Sequence, residues 1–243
     1  MKKTLLILAC AFVLAAAAWG QKPAGVGGDR FDLGGRAVVV PAPESFTNGL
    51  GRFDRFTTVM TATESPDLDI LLAHVPTSMV DELTKGPAYI DFYTKVSVAK
   101  KARTYDLTLA GFDQMVASVE KNFGNYIDLN NPRIKRTVES ANTNLKDKLG
   151  PDAHINMSQP TSLGFFDKKP GVFSGMILMN VEGNGVRKKV LNSMSYVLVN
   201  RRLIYVYAFK TFTSDEDVKP LEDFAKKWTA AIRAANKVAA THP

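Results

Sequence analysis

The stretch SYVLVNRRLIYVYAFKTF, residues 195–212, decides the fold of this 243-residue chain. Read as two strands around Asn200-Arg201, it puts Tyr196 opposite Tyr205, Met194 opposite Tyr207 and Leu198 opposite Leu203. The other face then carries Val197 opposite Ile204 and Ser195 opposite Val206. An antiparallel sheet with one wet side alternates polar and apolar residues, and this pair does not. Both faces must therefore be covered, and the pair is central. Arg201 suits a tight type I′ turn poorly, because such turns favour glycine at positive φ, so a longer loop stays open.

The segment after the pair supplies one cover. Ser214 with Asp217 three residues on is close to a capping box, and Asp215 and Glu216 suit the positive end of a helix. Val218, Leu221, Phe224, Trp228, Ala231, Ile232 and Ala235 then recur at helical spacing up to Asn236. Upstream, residues 172–181 and 189–199 extend the pair into a meander, joined through Gly183-Asn184-Gly185. Two further helices are expected. Leu109, Phe112, Val116, Val119 and Phe123 mark one that ends at Gly124, and Asn131-Pro132 starts another that runs to Gly150.

The N-terminal half is read from shorter signals. Residues 37–40 form a strand stopped by Pro41-Ala42-Pro43. Residues 53–63 and 68–75 read as a hairpin around Glu64-Ser65-Pro66-Asp67, and residues 88–101 as a short helix after Pro87. Residues 148–160 read as a loop. The architecture that fits is α+β: a helix/sheet/helix sandwich around a largely antiparallel, strongly apolar sheet, in one domain over residues 30–236. Residues 21–29 form a flexible Gly-rich tether before it, and residues 237–243 a frayed tail.

The first residues are set apart from the fold. Lys2-Lys3 precede an uncharged apolar run, and small residues mark cleavage after Ala18 or Gly20. Residues 1–20 are expected to be a bacterial-style secretory signal peptide, which places the protein in the periplasm or outside the cell. Cys10, the only cysteine, lies inside that run, so the mature chain has no disulfide, thiol nucleophile or thiolate metal site. Losing Lys2 and Lys3 lowers the formal charge from +7 to +5, carried by scattered basic pairs. Nucleic-acid binders concentrate charge on one face, so no nucleic-acid partner is expected; weak contact with anionic lipid or polysaccharide is compatible with the pairs.

No motif assigns a chemistry. His74 lies in a strand, His154 and Met157 are two soft ligands without a third, and His242 is in the tail. Phe173-Ser174-Gly175 is half of a nucleophile elbow, inside a strand. Gly183-Asn184-Gly185 before Arg187-Lys188-Lys189 reads as a hairpin turn with solvated flanks rather than a phosphate cradle. Asp67-Leu68-Asp69 lacks the later ligands of a calcium loop, Asn156-Met157-Ser158 is a coincidental sequon, and Met176, Met179 and Met194 are core. No cofactor, metal or catalytic residue is expected.

The strand ending in Pro-Ala-Pro, the hairpin strands, the middle helices, the meander SYVLVNRRLIYVYAFKTF and the helix SDEDVKPLEDFAKKWTAAIRAAN together resemble the PsbP-like fold group. That group includes lumenal photosystem subunits, a nuclear-transport factor and exported bacterial proteins. The resemblance implies a binding or docking module without a catalytic site, and it carries no residue role onto this chain. The expected function is therefore a non-catalytic docking module of a bacterial envelope whose partner is an envelope protein. Two other classes stay open: an envelope hydrolase using carboxylates such as Asp106 or Asp113, and a peripheral protein that touches lipid.

Overall fold

The computed structural model describes residues 28–183 and 185–239. Residues 1–20, read as a signal peptide and holding Cys10, and His242 lie outside the described residues. Ten strands and six helices follow in chain order: β1 (Asp29–Asp32), β2 (Ala37–Val40), β3 (Phe46–Asn48), α1 (Asp54–Ala62), β4 (Leu68–Pro76), α2 (Val80–Lys85) and β5 (Phe92–Ala99). Then come α3 (Leu109–Lys121), α4 (Phe123–Ile127), α5 (Pro132–Leu149), β6 (Ile155–Met157), β7 (Thr161–Lys169), β8 (Val172–Gly183), β9 (Val186–Val199), β10 (Arg202–Thr211) and α6 (Val218–Ala239). The fold is α+β.

The eight-stranded sheet has the order β3-β4-β5-β10-β9-β8-β6, with β7 also paired to β8, and every pairing is antiparallel. β9 and β10 sit centrally and pair in the expected register, Tyr196 with Tyr205 and Leu198 with Leu203. Their turn has two residues, both left-handed: Asn200 at φ 48° and Arg201 at φ 63°. An arginine there costs about 1–2 kcal/mol. Two tertiary contacts hold it: its carbonyl accepts Leu107 N–H at 2.9 Å, and its Nε lies 3.3 Å from an Asp106 carboxylate oxygen.

One face of the sheet is covered by α6 and the separate β1–β2 hairpin. Trp228 and Ile232 pack with Val38, Val40, Val197, Ile204 and Val206. Trp228 Nε1–H donates to Pro41 O at 2.9 Å, and Asn236 bonds both the N–H and the C=O of Val39. The helix thereby grips a strand that has no place in the main sheet. The expected capping box of Ser214 and Asp217 opens a 3-10 turn, Asp215–Asp217, that runs straight into α6. On the opposite face, α3 and α4 cover Phe173, Tyr196, Leu203 and Tyr205, while α1 covers Ala73, Val75 and Tyr93. α5, begun by Asn131 and Pro132 as expected, lies beside α1 through Ala62 and Leu145. Its Asn142 grips Ile155 of β6 as Asn236 grips Val39, bonding both N–H and C=O.

Several expectations change. Residues 53–63 form α1 rather than a strand, so the expected hairpin is a helix followed by a strand. Their threonines and valine favour β structure, but Phe53, Phe56 and Met60 recur at three and four, and burying that row decides the element. Residues 88–101 give β5 rather than a helix. Thr94, Val96 and Val98 point to one face and Tyr93, Lys95 and Ser97 to the other, between β4 and β10. The helix from Leu109 stops at Asn122, and Gly124 lies inside α4. β7 arises where no element was read, and β6 forms inside the expected loop.

Candidate functional site

A cleft of about 780 Å³ opens at one end of the sheet, between α1, α2 and the segment that leads into β5. The chain builds it from three local decisions. Gly49 lets the turn before α1 approach closely, since a Cβ there would come 2.9 Å from the Phe56 ring. α1 then directs Phe56, Val59 and Met60 inward. α2 ends at Gly86, at φ 156°, and residues 86–91 run without regular structure to Tyr93.

The floor is apolar and aromatic. Phe56 meets Tyr93 edge-on at 6.4 Å, and Leu83 and Ile90 close the sides. Arg52, Asp54 and Arg55 stand at the rim, and neither arginine has a carboxylate partner among the described residues. The Arg52 guanidinium lies 5.2 Å from the Phe53 ring. Tyr89, 52% exposed, stands at the mouth and shares a hydrogen bond with Thr211 Oγ1.

Behind Tyr93 the floor passes into a buried polar knot. Tyr93 stacks on Phe209 at 4.7 Å, and Phe209 stacks on Tyr207 at 6.0 Å. Lys95 Nζ lies 5.0 Å from the Tyr207 ring and 3.0 Å from Glu64 Oε2, which also accepts from Ser97 Oγ at 2.8 Å. Burial pushes the Tyr93 and Tyr207 hydroxyls well above the usual phenol range, and the Glu64 charge adds to this. These phenols stay neutral, so the floor offers ring faces and neutral hydroxyls.

At the opposite end of the same strands the chemistry is reversed. Arg36 donates to both oxygens of Asp106 at 2.7 and 2.6 Å, Arg202 donates to Oδ1, and Arg201 stands beside Oδ2. Arg202, 2% exposed, also donates to the carbonyls of Leu33 and Gly34. This clasp ties the β1–β2 turn, the loop before α3 and the β9–β10 turn together. The Arg36 hydrogen bonds first, then those of Arg202, hold the Asp106 carboxyl far below the usual carboxylate range. A carboxylate so held is no general base near neutrality.

The other sequence candidates are dispersed. Asp113 is exposed on α3 and is not drawn to Asp106's arginines. His74 is fully buried under Trp228, bonded through Nδ1 to Thr94 Oγ1, and its Nε2 has no partner among the described residues. Burial pushes its pKa down to about 4. His154 bonds Asp152 O, and Met157 packs beside β8; no group of three metal-ligating residues occurs among the described residues. Ser174 is buried against Ser195 at 2.7 Å. Asp67 pairs with Arg133, and Asp69 with Arg103. Arg187 pairs with Glu182, and Lys188 and Lys189 lie over Tyr89 and Phe212. Met176 and Met179 are buried, and Met194 packs against Phe173 and its neighbours.

The cleft itself was missed because its walls come from the segments read as a strand and a short helix. The row Phe53, Phe56, Met60 was the signal that could have shown it.

No protein-family model and no curated protein sequence matches the chain. Among solved structures it is similar to the Saccharomyces cerevisiae Ran-binding protein Mog1p. The identity is 10%, over 86% of this chain and 93% of that one, with a TM-score of 0.30. A point mutant of Mog1 is similar at 10% identity over 85% and 89%, with a TM-score of 0.29. Likenesses this distant carry no argument about this chain.

Proposed function

We propose that the protein is an exported, non-catalytic binding module that seats a segment of an envelope protein in the cleft beside α1. The observation that carries the reading is the cleft's composition. An aromatic, aliphatic floor edged by two arginines without carboxylate partners suits an apolar anchor flanked by an acidic residue. Ligand clefts of several hundred Å³ usually pair an apolar lining with few polar anchors in this way. The basic start and apolar run of residues 1–20 support export, and the element order of the meander and α6 supports kinship with the PsbP-like group.

The test is a photo-crosslinking residue at Thr84, exposed on the cleft wall, in an exporting bacterial host. One recurring crosslinked protein, lost when Arg52 and Arg55 are changed to Glu, supports the reading. Crosslinks indifferent to that change, or none, contradict it.

A further inference from the structure

At the clasp end the structure gathers features that neither the core nor the cleft uses. Arg36, Arg201 and Arg202 surround the single carboxylate Asp106, so positive charge remains after pairing. Arg233 and Lys237 edge a hollow of about 310 Å³ formed with Asn200 at the end of α6. Neither has a carboxylate partner among the described residues, and neither does exposed Lys101.

Two large apolar side chains stand out from the same end. Tyr105 is 64% exposed and Leu109 is 47% exposed, on the loop and first turn of α3 that flank Asp106. That loop is not free to fold them inward. Leu107 N–H is bonded to Arg201 O, and Thr108 Oγ1 accepts Gly111 N–H, so the backbone presenting both side chains is fixed.

A tyrosine and a leucine projecting from the same end of the sheet as cations without carboxylate partners is a pattern that seats a protein in a bilayer interface. The ring and the aliphatic chain enter the headgroup boundary, while the cations meet anionic lipid. We propose that this end of the sheet docks on an anionic membrane surface, with Tyr105 and Leu109 inserted and Lys101, Arg233 and Lys237 against lipid phosphates. Charge complementarity selects this occupant: a neutral apolar partner would leave the cations unmet, and a soluble acidic one would leave Tyr105 and Leu109 exposed. No described helix is long and apolar enough to cross a membrane, and the contact proposed is at the surface. The docked end lies opposite the cleft, so a tethered molecule would hold its cleft away from the lipid. The inference stands on different residues from the cleft reading and survives or fails without it.

The test is co-sedimentation with vesicles of phosphatidylglycerol and phosphatidylcholine mixed, against phosphatidylcholine alone, at two salt concentrations. The chain used begins at Gln21, which keeps every described element. Two variants accompany it: Arg233→Gln with Lys237→Gln, and Tyr105→Ser with Leu109→Ser. Tyr105, Leu109 and Lys237 are exposed and Arg233 is half-buried, and unchanged circular dichroism and melting confirm folding. Binding to the anionic vesicles is expected to weaken about 25-fold in the first variant, about fivefold per cation. The second is expected to weaken it about tenfold or more, with loss of the apolar contact. Parent binding should fall with added salt. The proposal is overturned if the parent ignores anionic vesicles, binds neutral ones equally, or if either variant binds like the parent.

Discussion

At the hairpin end of the sheet, Arg36, Arg201 and Arg202 converge on Asp106, whereas at the other end Phe56, Tyr93 and Phe209 meet ring to ring. The same strands, β5 and β10, run through both. The difference shows how one sheet, covered on both faces, leaves its ends to be specialised. The charged end fixes three loops through directional bonds and presents a rigid rim. The aromatic end packs non-directionally around an open cleft with an apolar floor.

That contrast can be broken most forcefully at Arg202. Its replacement by Met strips the guanidinium from Asp106 and from two loop carbonyls. The expected loss is about 3 kcal/mol, mostly from the two loop carbonyls left without a donor, since Asp106 is a third exposed and keeps Arg36. It would appear as a melting temperature lower by about 10 °C. A loss no larger than that of an exposed arginine would show that the clasp is ornamental.

Acid should act on the fold in two separate pH windows. His74 lies in the cleft half of the sheet, paired with Thr94, and is neutral when folded. Its pKa falls from 6.5 to about 4 on folding, so the unfolded chain takes up a proton first as pH drops. Stability is therefore full above pH 6.5 and declines by about 3 kcal/mol toward pH 4. Denaturant titrations at successive pH values should show this slope, and His74→Gln should remove it. Asp106 and Asp217 act in a lower window. Their folded carboxyls are depressed, chiefly by Arg36 and by Lys210, so their stabilisation is present above the ordinary value of 3.8 and is lost as pH falls below it.

A smaller effect sharpens the picture of the cleft's rear wall. Lys95→Met leaves Glu64 buried with only Ser97 and the Ser65 N–H, and is expected to cost about 2 kcal/mol. Adding Glu64→Gln should return most of it in chemical denaturation, because the uncompensated charge is gone. The smallest effect is at the turn. Arg201→Gly relieves the left-handed strain but loses an exposed ion pair and gives the unfolded chain more freedom, so stability in chemical denaturation should change by about 0.5 kcal/mol or less.

The clasp and the cleft also differ in how far the sequence revealed them. The central strand pair, its register and the α6 capping box were legible because each rests on local pattern: two-faced apolar alternation, and an acidic start before a helical stripe. The tight Asn200-Arg201 turn was legible but stood beside a longer loop as an alternative, because what holds Arg201 at positive φ is Asp106, far away in the chain. α1 and β5 were exchanged in type: the β-branched residues of α1 misstate what tertiary burial selects, while the alternation Thr94, Val96, Val98 that marks β5 is short and follows directly on Pro87 and the irregular residues after it. The cleft takes its inner wall and floor from those two elements, so it went unseen with them. Asp106 was singled out as a carboxylate, but its meaning changed once Arg36, Arg201 and Arg202 stood around it.

The central claim is that the aromatic end, and not the charged end, receives the protein partner. It is tested most directly by hydrogen exchange on the protein with and without the partner captured from Thr84. Slowed exchange in residues 52–60 and 83–93, with residues 100–109 unchanged, is the result predicted. Protection confined to residues 100–109, with the cleft segments exchanging as in the free protein, would contradict it.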